Sequence, residues 1–363
     1  MTDRPRPYLT PMALRGRIAR PQPKGLPVIN MGFNELPYPP TPRVAEALSN
    51  TAQNVGRYGS PRCDALRAQL AAANGMDPDT LICGNGSEEL LDVIARTFVR
   101  AGDTVVFSQY GYIQFALTAH RLGARAQTVA ERDFTTDPAA LLNAVDGNTK
   151  LVFLANPNNP TGTMTEAAEL VALAKALPPT VPVVLDLAYG EFAGDAYCRD
   201  MHALVSSRDN IIVTRTFSKA YGLAGVRVGW AHAPAWMIDA FYAARGMGSV
   251  NALAQAAAEA ALQDLPVVAD RVAEIVAERD RLADALRGLG CNVLPSHTNF
   301  LMVAPPQASA ARTEALVEHL FDECGLVVNR TREAGLEPYF RFSLSLPTHN
   351  DLLLDGVARF LST

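Results

Sequence analysis

The chain has 363 residues, of which 48% are hydrophobic and 19% charged, and its formal net charge is −5. This composition is typical of a soluble globular protein that buries a large core and needs no disulfide or metal cross-links for stability. The slight acidic excess, with no basic block, argues against nucleic acid as a partner. No apolar run is long enough for a membrane span, and the polar, proline-rich N-terminus lacks a signal-peptide core. We therefore expect a cytoplasmic location and no membrane association.

The cysteines and histidines are dispersed along the chain, which argues against a metal site. The cysteines are Cys63, Cys83, Cys198, Cys291 and Cys324. They are odd in number and show no CxxC spacing, so neither a disulfide framework nor a zinc site is expected. We predict no metal and a reducing compartment.

From the N-terminus, residues 1–27 predict an arm and residues 28–248 a large cofactor-binding domain. The predicted strands of that domain cover 28–31, 81–83, 104–107, 126–130, 150–155, 181–186, 211–215 and 226–231. Continuous apolar strands that alternate with helices predict an α/β fold, whose mostly parallel sheet is covered by helices on both faces. Ligands of such sheets bind beyond the carboxyl ends of the strands.

The remaining residues, 249–363, predict a smaller α+β C-terminal domain. Its Ala-rich first part has helical periodicity over 251–289 and is broken near Pro266. Three further strands are predicted over 292–304, 326–329 and 339–344. Helices are predicted over 311–324 and 350–361.

A lysine that follows the strand 211–215 carries the strongest chemical signal. Lys219 lies behind the hydroxyl of Ser218 and eight residues before Arg227. An arbitrary lysine at a strand end is usually a solvated surface residue. A buried lysine beside a cation, however, loses its proton readily and becomes a nucleophile towards carbonyl groups.

An aspartate ends the next strong apolar strand, and a tyrosine follows it. Asp186 could be a simple helix cap, or it could lie under a heterocyclic nitrogen and hold that nitrogen protonated, which makes the ring an electron sink. Tyr189 comes three residues later and could reach an oxygen of the same ring.

Two turn-forming segments also follow predicted strands. The segment Asn156–Gly162 reads NPNNPTG and contains Asn159, whereas Gly84–Glu88 reads GNGSE and contains Gly86 and Ser87. Either segment alone is an ordinary turn. Free backbone N–H groups at a helix start nevertheless bind anions, so the second segment is a candidate phosphate cradle.

Together these segments resemble fold-type I pyridoxal 5′-phosphate (PLP) enzymes, specifically the class I/II aminotransferases and most closely the histidinol-phosphate aminotransferase group. The resemblance runs from Asn34 to Arg341 and rests above all on NPNNPTG and on SKxxxLAGxRxG, which spans 218–229. It implies the PLP-transferase fold with PLP as cofactor, held as a Schiff base by Lys219. It also implies that this lysine shuttles the proton after the substrate displaces it.

The resemblance also implies the other cofactor contacts. Asp186 pairs with the pyridinium nitrogen, Asn159 and Tyr189 bind the phenolic oxygen, and Tyr110 stacks on the ring. The phosphate ligands are Gly86, Ser87, Ser218, Arg227 and, from a neighbouring subunit, Tyr58. This last match implies a homodimer with sites at its interface.

The substrate contacts follow from shorter matches. Arg341 matches the arginine that binds the substrate α-carboxylate, and Arg330 matches one that binds a substrate phosphate. Asn34 belongs to a stretch resembling NENPY, and Tyr8 resembles a substrate-side tyrosine of the arm. The chain departs from the family after Arg341, where it reads FSLSLP, and at Ser108-Gln109. Both departures lie near the substrate pocket.

The resulting functional hypothesis is an aminotransferase that moves an amino group between an amino acid or amino-alcohol phosphate, of histidinol-phosphate type, and a 2-oxo acid. A decarboxylase of the threonine-phosphate type and a natural-product amino-acid cyclase remain alternatives, because both share these residues. A non-catalytic sensory module would normally carry a DNA-binding domain, for which residues 1–27 leave no room.

Overall fold

The computed structural model of the chain describes residues 9, 23, 25–331 and 333–362. Its strands are β1 (Ile29–Asn30), β2 (Leu81–Gly84), β3 (Thr104–Ser108), β4 (Arg125–Val129), β5 (Thr149–Ala155), β6 (Val183–Asp186), β7 (Ile211–Thr216), β8 (Gly229–His232), β9 (Asn292–Val293), β10 (Phe300–Ala304), β11 (Leu326–Val327), β12 (Asn329–Arg330) and β13 (Phe340–Ser343). Its helices are α1 (Pro42–Ala52), α2 (Asp64–Asn74), α3 (Ser87–Phe98), α4 (Ile113–Arg121), α5 (Pro138–Ala144), α6 (Ala167–Ala176), α7 (Gly190–Ala193), α8 (Asp195–Ser207), α9 (Ala235–Ala244), α10 (Ala252–Ala261), α11 (Leu265–Gly288), α12 (Ala310–Cys324) and α13 (Pro347–Leu361).

A seven-stranded sheet of order β2-β8-β7-β6-β5-β3-β4 forms the centre of the molecule. Only β8 runs antiparallel to its neighbours. Side chains alternate between the two faces along β5: Leu151 and Phe153 pack against α3, α4 and α9, whereas Val152 and Leu154 pack against α5, α6 and α8. The predicted α/β fold, with a mostly parallel sheet covered by helices, is therefore confirmed.

The strand predicted over 226–231 begins only at Gly229. Arg227 has a positive φ of 62°, which no strand residue adopts, and the amide of Val226 donates to the carbonyl oxygen of Leu223. The preceding residues thus form a turn that leads from the lysine loop into β8.

A second, antiparallel sheet of order β12-β13-β10-β9 lies in the C-terminal part. The single strand predicted over 292–304 is wrong, because a loop separates β9 from β10. In this loop a side-chain hydroxyl bonds to backbone groups. Ser296 Oγ donates to the carbonyl oxygen of Phe300 at 2.7 Å and accepts from the amide of Thr298. Such side-chain bonds compete with strand pairing.

The segment after residue 28 joins the C-terminal part of the chain. Strand β1 pairs in parallel with β11, and Met31 packs in the same core as α11, α12 and α13. Thr41 then caps α1 and donates to Asp264 at 2.5 Å, just before α11. The boundaries proposed at 27/28 and 248/249 remain predictions. Among the described residues, no helix has the length and apolar character needed to cross a membrane.

Replacing Phe115 by alanine tests how strongly the packed sheet–helix layer contributes to stability. Its ring is fully buried and stacks on Phe153 with centroids 4.6 Å apart. We expect Phe115→Ala to lower the free energy of unfolding by about 3–5 kcal/mol, because it leaves a cavity. Ile113→Ala on the same helix, at an exposed position, should change it by no more than about 0.5 kcal/mol. Equal effects in denaturant titrations would contradict this packing.

Candidate active site

Segments that follow β2, β5, β6 and β7 meet at the carboxyl ends of the central strands. They line one cavity together with residues of the lysine loop. The residues singled out from the sequence that line it are Ser87, Asn159, Asp186, Tyr189, Ser218, Lys219 and Arg227. The structure therefore brings together side chains that are up to 140 positions apart in the chain.

The Lys219 side chain is partly buried on the turn after β7. Its Nζ donates to the carbonyl oxygens of Phe33 at 3.2 Å and Asn34 at 3.1 Å. Burial, assisted by the positive charge of Arg341, lowers the pKa of Lys219 to about 8. A substantial fraction of the amine is therefore neutral near physiological pH, as a nucleophile for carbonyl groups requires.

The Asp186 carboxyl group is buried at the end of β6. Thr214 Oγ1, at the paired position of the neighbouring strand β7, donates to it at 2.8 Å. Burial raises the pKa of Asp186 to about 6, although hydrogen bonds from Thr214 and from the amide of Ala188 oppose this shift. A cationic N–H group placed beside this carboxyl would stabilise its ionised form.

Tyr189 lies beside the lysine. Its hydroxyl accepts a hydrogen bond from Asn34 Nδ2 at 2.7 Å, and its ring packs edge-on against Phe300. Burial raises the pKa of Tyr189 to about 12, so the residue keeps its phenolic proton and remains a hydrogen-bond donor.

The start of α3 forms an anion cradle with the lysine loop. Gly86 has a φ of 81°, and a side chain at this position would collide with the guanidinium of Arg227. Nη1 of the same guanidinium donates to Ser218 Oγ at 3.3 Å. A side chain at Gly229 would collide with the amide nitrogen of Ser87. Because the backbone segments approach so closely, the N–H groups at the start of α3 face the same position as the hydroxyls of Ser87 and Ser218 and the guanidinium of Arg227.

The predicted ring-stacking residue, Tyr110, is not among the described residues that line the cavity. Its hydroxyl donates to the carbonyl oxygen of Ala334 at 3.0 Å, and its ring stacks on Phe134. Tyr112 lines the cavity instead and donates to Glu88. The stacking role of Tyr110 therefore stays a prediction, and Tyr112, on the other side of Gly111, is a second candidate for it.

Arg341 projects from β13 towards the same cavity. It donates to Asn159 Oδ1 and, at 3.2 Å, to the carbonyl oxygen of Gly32, and its Cζ lies 5.1 Å from the ring centroid of Phe300. Burial lowers the pKa of Arg341. Its Nε is buried and has no hydrogen-bond partner among the described residues, so the guanidinium retains donor capacity for an anionic ligand.

The remaining predicted residues lie elsewhere. Arg330 forms an ion pair with Glu314 and donates to the carbonyl oxygen of Ala310 at 3.1 Å, both on α12. The Tyr58 side chain is fully exposed. Tyr8 lies outside the described residues.

Thr214 and Tyr112 are among the residues at the site that sequence reasoning did not single out. Thr214 was detectable, because in the parallel register of β6 and β7 it lies opposite Asp186. Tyr112 was detectable only as a second aromatic residue in its loop.

A family model described as "Aminotransferase class I and II" matches residues 27–359. Histidinol-phosphate aminotransferases of Rhodopseudomonas palustris (strain BisB18) and Maricaulis maris (strain MCS10) are 36% and 35% identical, and the matches cover 93% and 92% of this chain and 92% of each relative. The solved histidinol-phosphate aminotransferase of Sinorhizobium meliloti, in complex with PLP, superposes with a TM-score of 0.87. It is 33% identical over 92% of this chain and 90% of that one.

The chain belongs to the class I and II aminotransferase family. Enzymes of this family depend on PLP, so the chain is a PLP-dependent aminotransferase. The described residues fit that cofactor on their own chemistry: a buried lysine with a lowered pKa, a buried carboxyl that a pyridinium would ionise, and an anion cradle.

Replacing Gly229 by alanine tests the cradle. The added methyl group would meet the amide nitrogen of Ser87 and push apart the groups that face the phosphate. We expect the Kd for PLP to rise about tenfold or more, as one lost charge-assisted contact would cause. Gly225→Ala is the matched control, since its methyl group would meet no atom within 4 Å. If both variants bind PLP with the Kd of the wild type, the assignment of these residues to the phosphate site is wrong.

The pH dependence of cofactor capture tests the state of Lys219. Only the neutral amine attacks the cofactor aldehyde, so the rate of covalent attachment should rise with pH through about 8 and then level off. Stopped-flow absorbance of the cofactor-free protein mixed with PLP measures this rate. A midpoint above 10, as for a solvated lysine, would contradict the burial of the amine.

Proposed function

We propose that this aminotransferase moves an amino group between a donor that is an α-amino acid or an amino-alcohol phosphate and a 2-oxo acid acceptor. The observation that carries the proposal is a cavity lined by Lys219 and Asp186, with Arg341 bound to Asn159 of the same lining. The names of the relatives make histidinol phosphate the first amino-alcohol phosphate to test.

Each residue around the cofactor has an assigned role in this proposal. Lys219 binds the cofactor covalently, Asp186 holds the ring nitrogen protonated, Asn159 and Tyr189 donate to the phenolic oxygen, and Tyr112 takes the ring face. The phosphate ligands are Gly86, Ser87, Ser218 and Arg227. PLP, when bound, withdraws electrons from the substrate α-carbon.

Lys219 also moves the proton. With its amine free on the same turn, Lys219 would be a base with a pKa near 8, which is well matched to proton transfer at neutral pH. Arg341 holds the substrate α-carboxylate through its planar guanidinium, which forms two parallel hydrogen bonds to such a group.

The direct test mixes the PLP-loaded protein with single donors and follows the visible absorbance of the lysine-bound cofactor. Bleaching by a donor, followed by recovery on adding a 2-oxo acid, is expected. Lys219→Ala should lack the absorbance and turn over nothing. Release of carbon dioxide or a cyclic product without oxo-acid formation would instead indicate one of the alternative reactions.

The Arg341 role predicts a selective loss. Arg341→Gln should raise KM for an α-amino acid about 30-fold or more, because it removes one partner of a buried charge pair. The corresponding decarboxylated amine should be affected far less. Arg341→Lys should restore only part of the affinity, because an ammonium cannot form the two parallel bonds. An equal loss for the amine would assign Arg341 to protein structure.

The proposal includes a cytoplasmic homodimer in which Tyr58 completes the partner's phosphate site. The full exposure of Tyr58 supports this arrangement, as does the burial of all five cysteines as free thiols for a reducing compartment. We expect Tyr58→Ala to bind PLP more weakly and Lys219→Ala to be inactive.

Mixing these two variants tests the dimer. Subunit exchange should restore tight PLP binding and activity, since each hybrid dimer contains one site with an intact lysine and an intact partner tyrosine. Sedimentation as a monomer, or a mixture no better than the Tyr58 variant alone, would contradict it.

A further inference from the structure

The register of β12 against β13 decides which residue shares a sheet face with Arg341. Asn329 lies opposite Arg341, and Arg330 lies opposite Phe340. Directly paired residues project to the same face, and consecutive residues project to opposite faces. Asn329 is therefore the neighbour of Arg341, and Arg330 is on the other face.

The packing of the two faces agrees with this register. Phe340 is buried in the core formed with α11, α12 and α13, and Arg330 contacts Glu314 and Ala310 on α12. The face of Arg341 turns the other way: Met302, its partner on β10, packs in the cluster that contains Tyr110.

The backbone also brings position 329 to the site. The amide nitrogen of Asn329 lies 3.7 Å from where a Cβ on Gly32 would be, and the carbonyl oxygen of Gly32 accepts from Arg341. Asn329 therefore lies one strand outward from the arginine assigned to the α-carboxylate. A group that extends beyond the α-carboxylate position on this side, such as the phosphate of an amino-alcohol phosphate, would meet an amide.

The charges around Tyr110 are negative. Burial raises the pKa of Tyr110, and the carboxylates of Glu131, Glu337 and Glu333 raise it further. Glu131 is largely buried, and its Oε2 has no hydrogen-bond partner among the described residues. Carboxyl groups of this cluster that are ionised repel a phosphate dianion but not an uncharged group.

We propose that Asn329 faces the position where an amino-alcohol phosphate, which carries its phosphate in place of the α-carboxylate, would extend that phosphate, and that the enzyme prefers α-amino acids with uncharged side chains to phosphate monoesters. The inference rests on the proposed function, in which Arg341 holds the α-carboxylate. An amide both donates and accepts hydrogen bonds but carries no charge to balance a phosphate.

The test compares second-order rate constants for bleaching of the bound cofactor by L-phenylalanine, L-leucine, L-glutamine and L-histidinol phosphate. We expect the best neutral amino acid to exceed histidinol phosphate by about tenfold or more, the cost of an unpaired charged group. Asn329→Arg should move the ratio towards histidinol phosphate by about 10- to 100-fold through a new guanidinium–phosphate pair. Asn148→Arg adds the same charge in an exposed turn just before β5, at the amino ends of the central strands, and should leave the ratio unchanged.

Three results would overturn the inference. The first is a wild-type protein that uses histidinol phosphate as well as, or better than, every neutral donor. This measurement does not depend on the folding of any variant. The second is a loss of histidinol-phosphate reactivity in Arg330→Gln, which would show that Arg330 reads the phosphate. The third is bleaching by no donor at all, which contradicts the proposed function itself and is thereby distinguished from the other two.

Discussion

The turn at Asn34 connects the two halves of the site, and most of the geometry depends on it. Its backbone carbonyl accepts from Lys219 and from Asn299, its side chain donates to Tyr189, and its amide donates to Ser343 on β13. The residue is buried and has a φ of 56°, in the left-handed region that asparagine adopts more readily than most other non-glycine residues. One residue thus fixes the lysine, the phenol and the second sheet relative to one another.

Burial then sets the chemistry of the groups held there. Removal from water favours the neutral form of every ionisable side chain, so it lowers the pKa of Lys219 and raises that of Asp186. The pKa values of the two groups therefore both shift towards neutral pH, from opposite directions, in the same cavity. Arg341 adds to the effect on the lysine, and its charge is retained because no ordinary degree of burial neutralises a guanidinium.

The sequence was most informative where strand ends and short motifs coincide. Lys219, Asp186 and Asn159 each follow a strong apolar strand, so parallel topology alone predicts that they converge. Positions with finer requirements were harder. Two tyrosines flank Gly111, and nothing local distinguishes them, while a shift of one residue on β12 exchanges Asn329 for Arg330 and turns the side chain to the other face. Such registers are fixed by tertiary packing against α12, which the local sequence does not encode.

The parallel pairing of β1 with β11 has a mechanical consequence. It attaches the segment that leads to Asn34 to the C-terminal part of the chain, and the amide of Ser343 on β13 donates to the carbonyl oxygen of Met31 in that segment. The carbonyl groups that hold the lysine amine are therefore tied to the C-terminal elements and not to the strand that carries the lysine. A displacement of those elements from the central sheet would withdraw two acceptors from the amine. The position of the C-terminal elements and the pKa of the Lys219 amine are therefore coupled, although the lysine follows a strand of the central sheet.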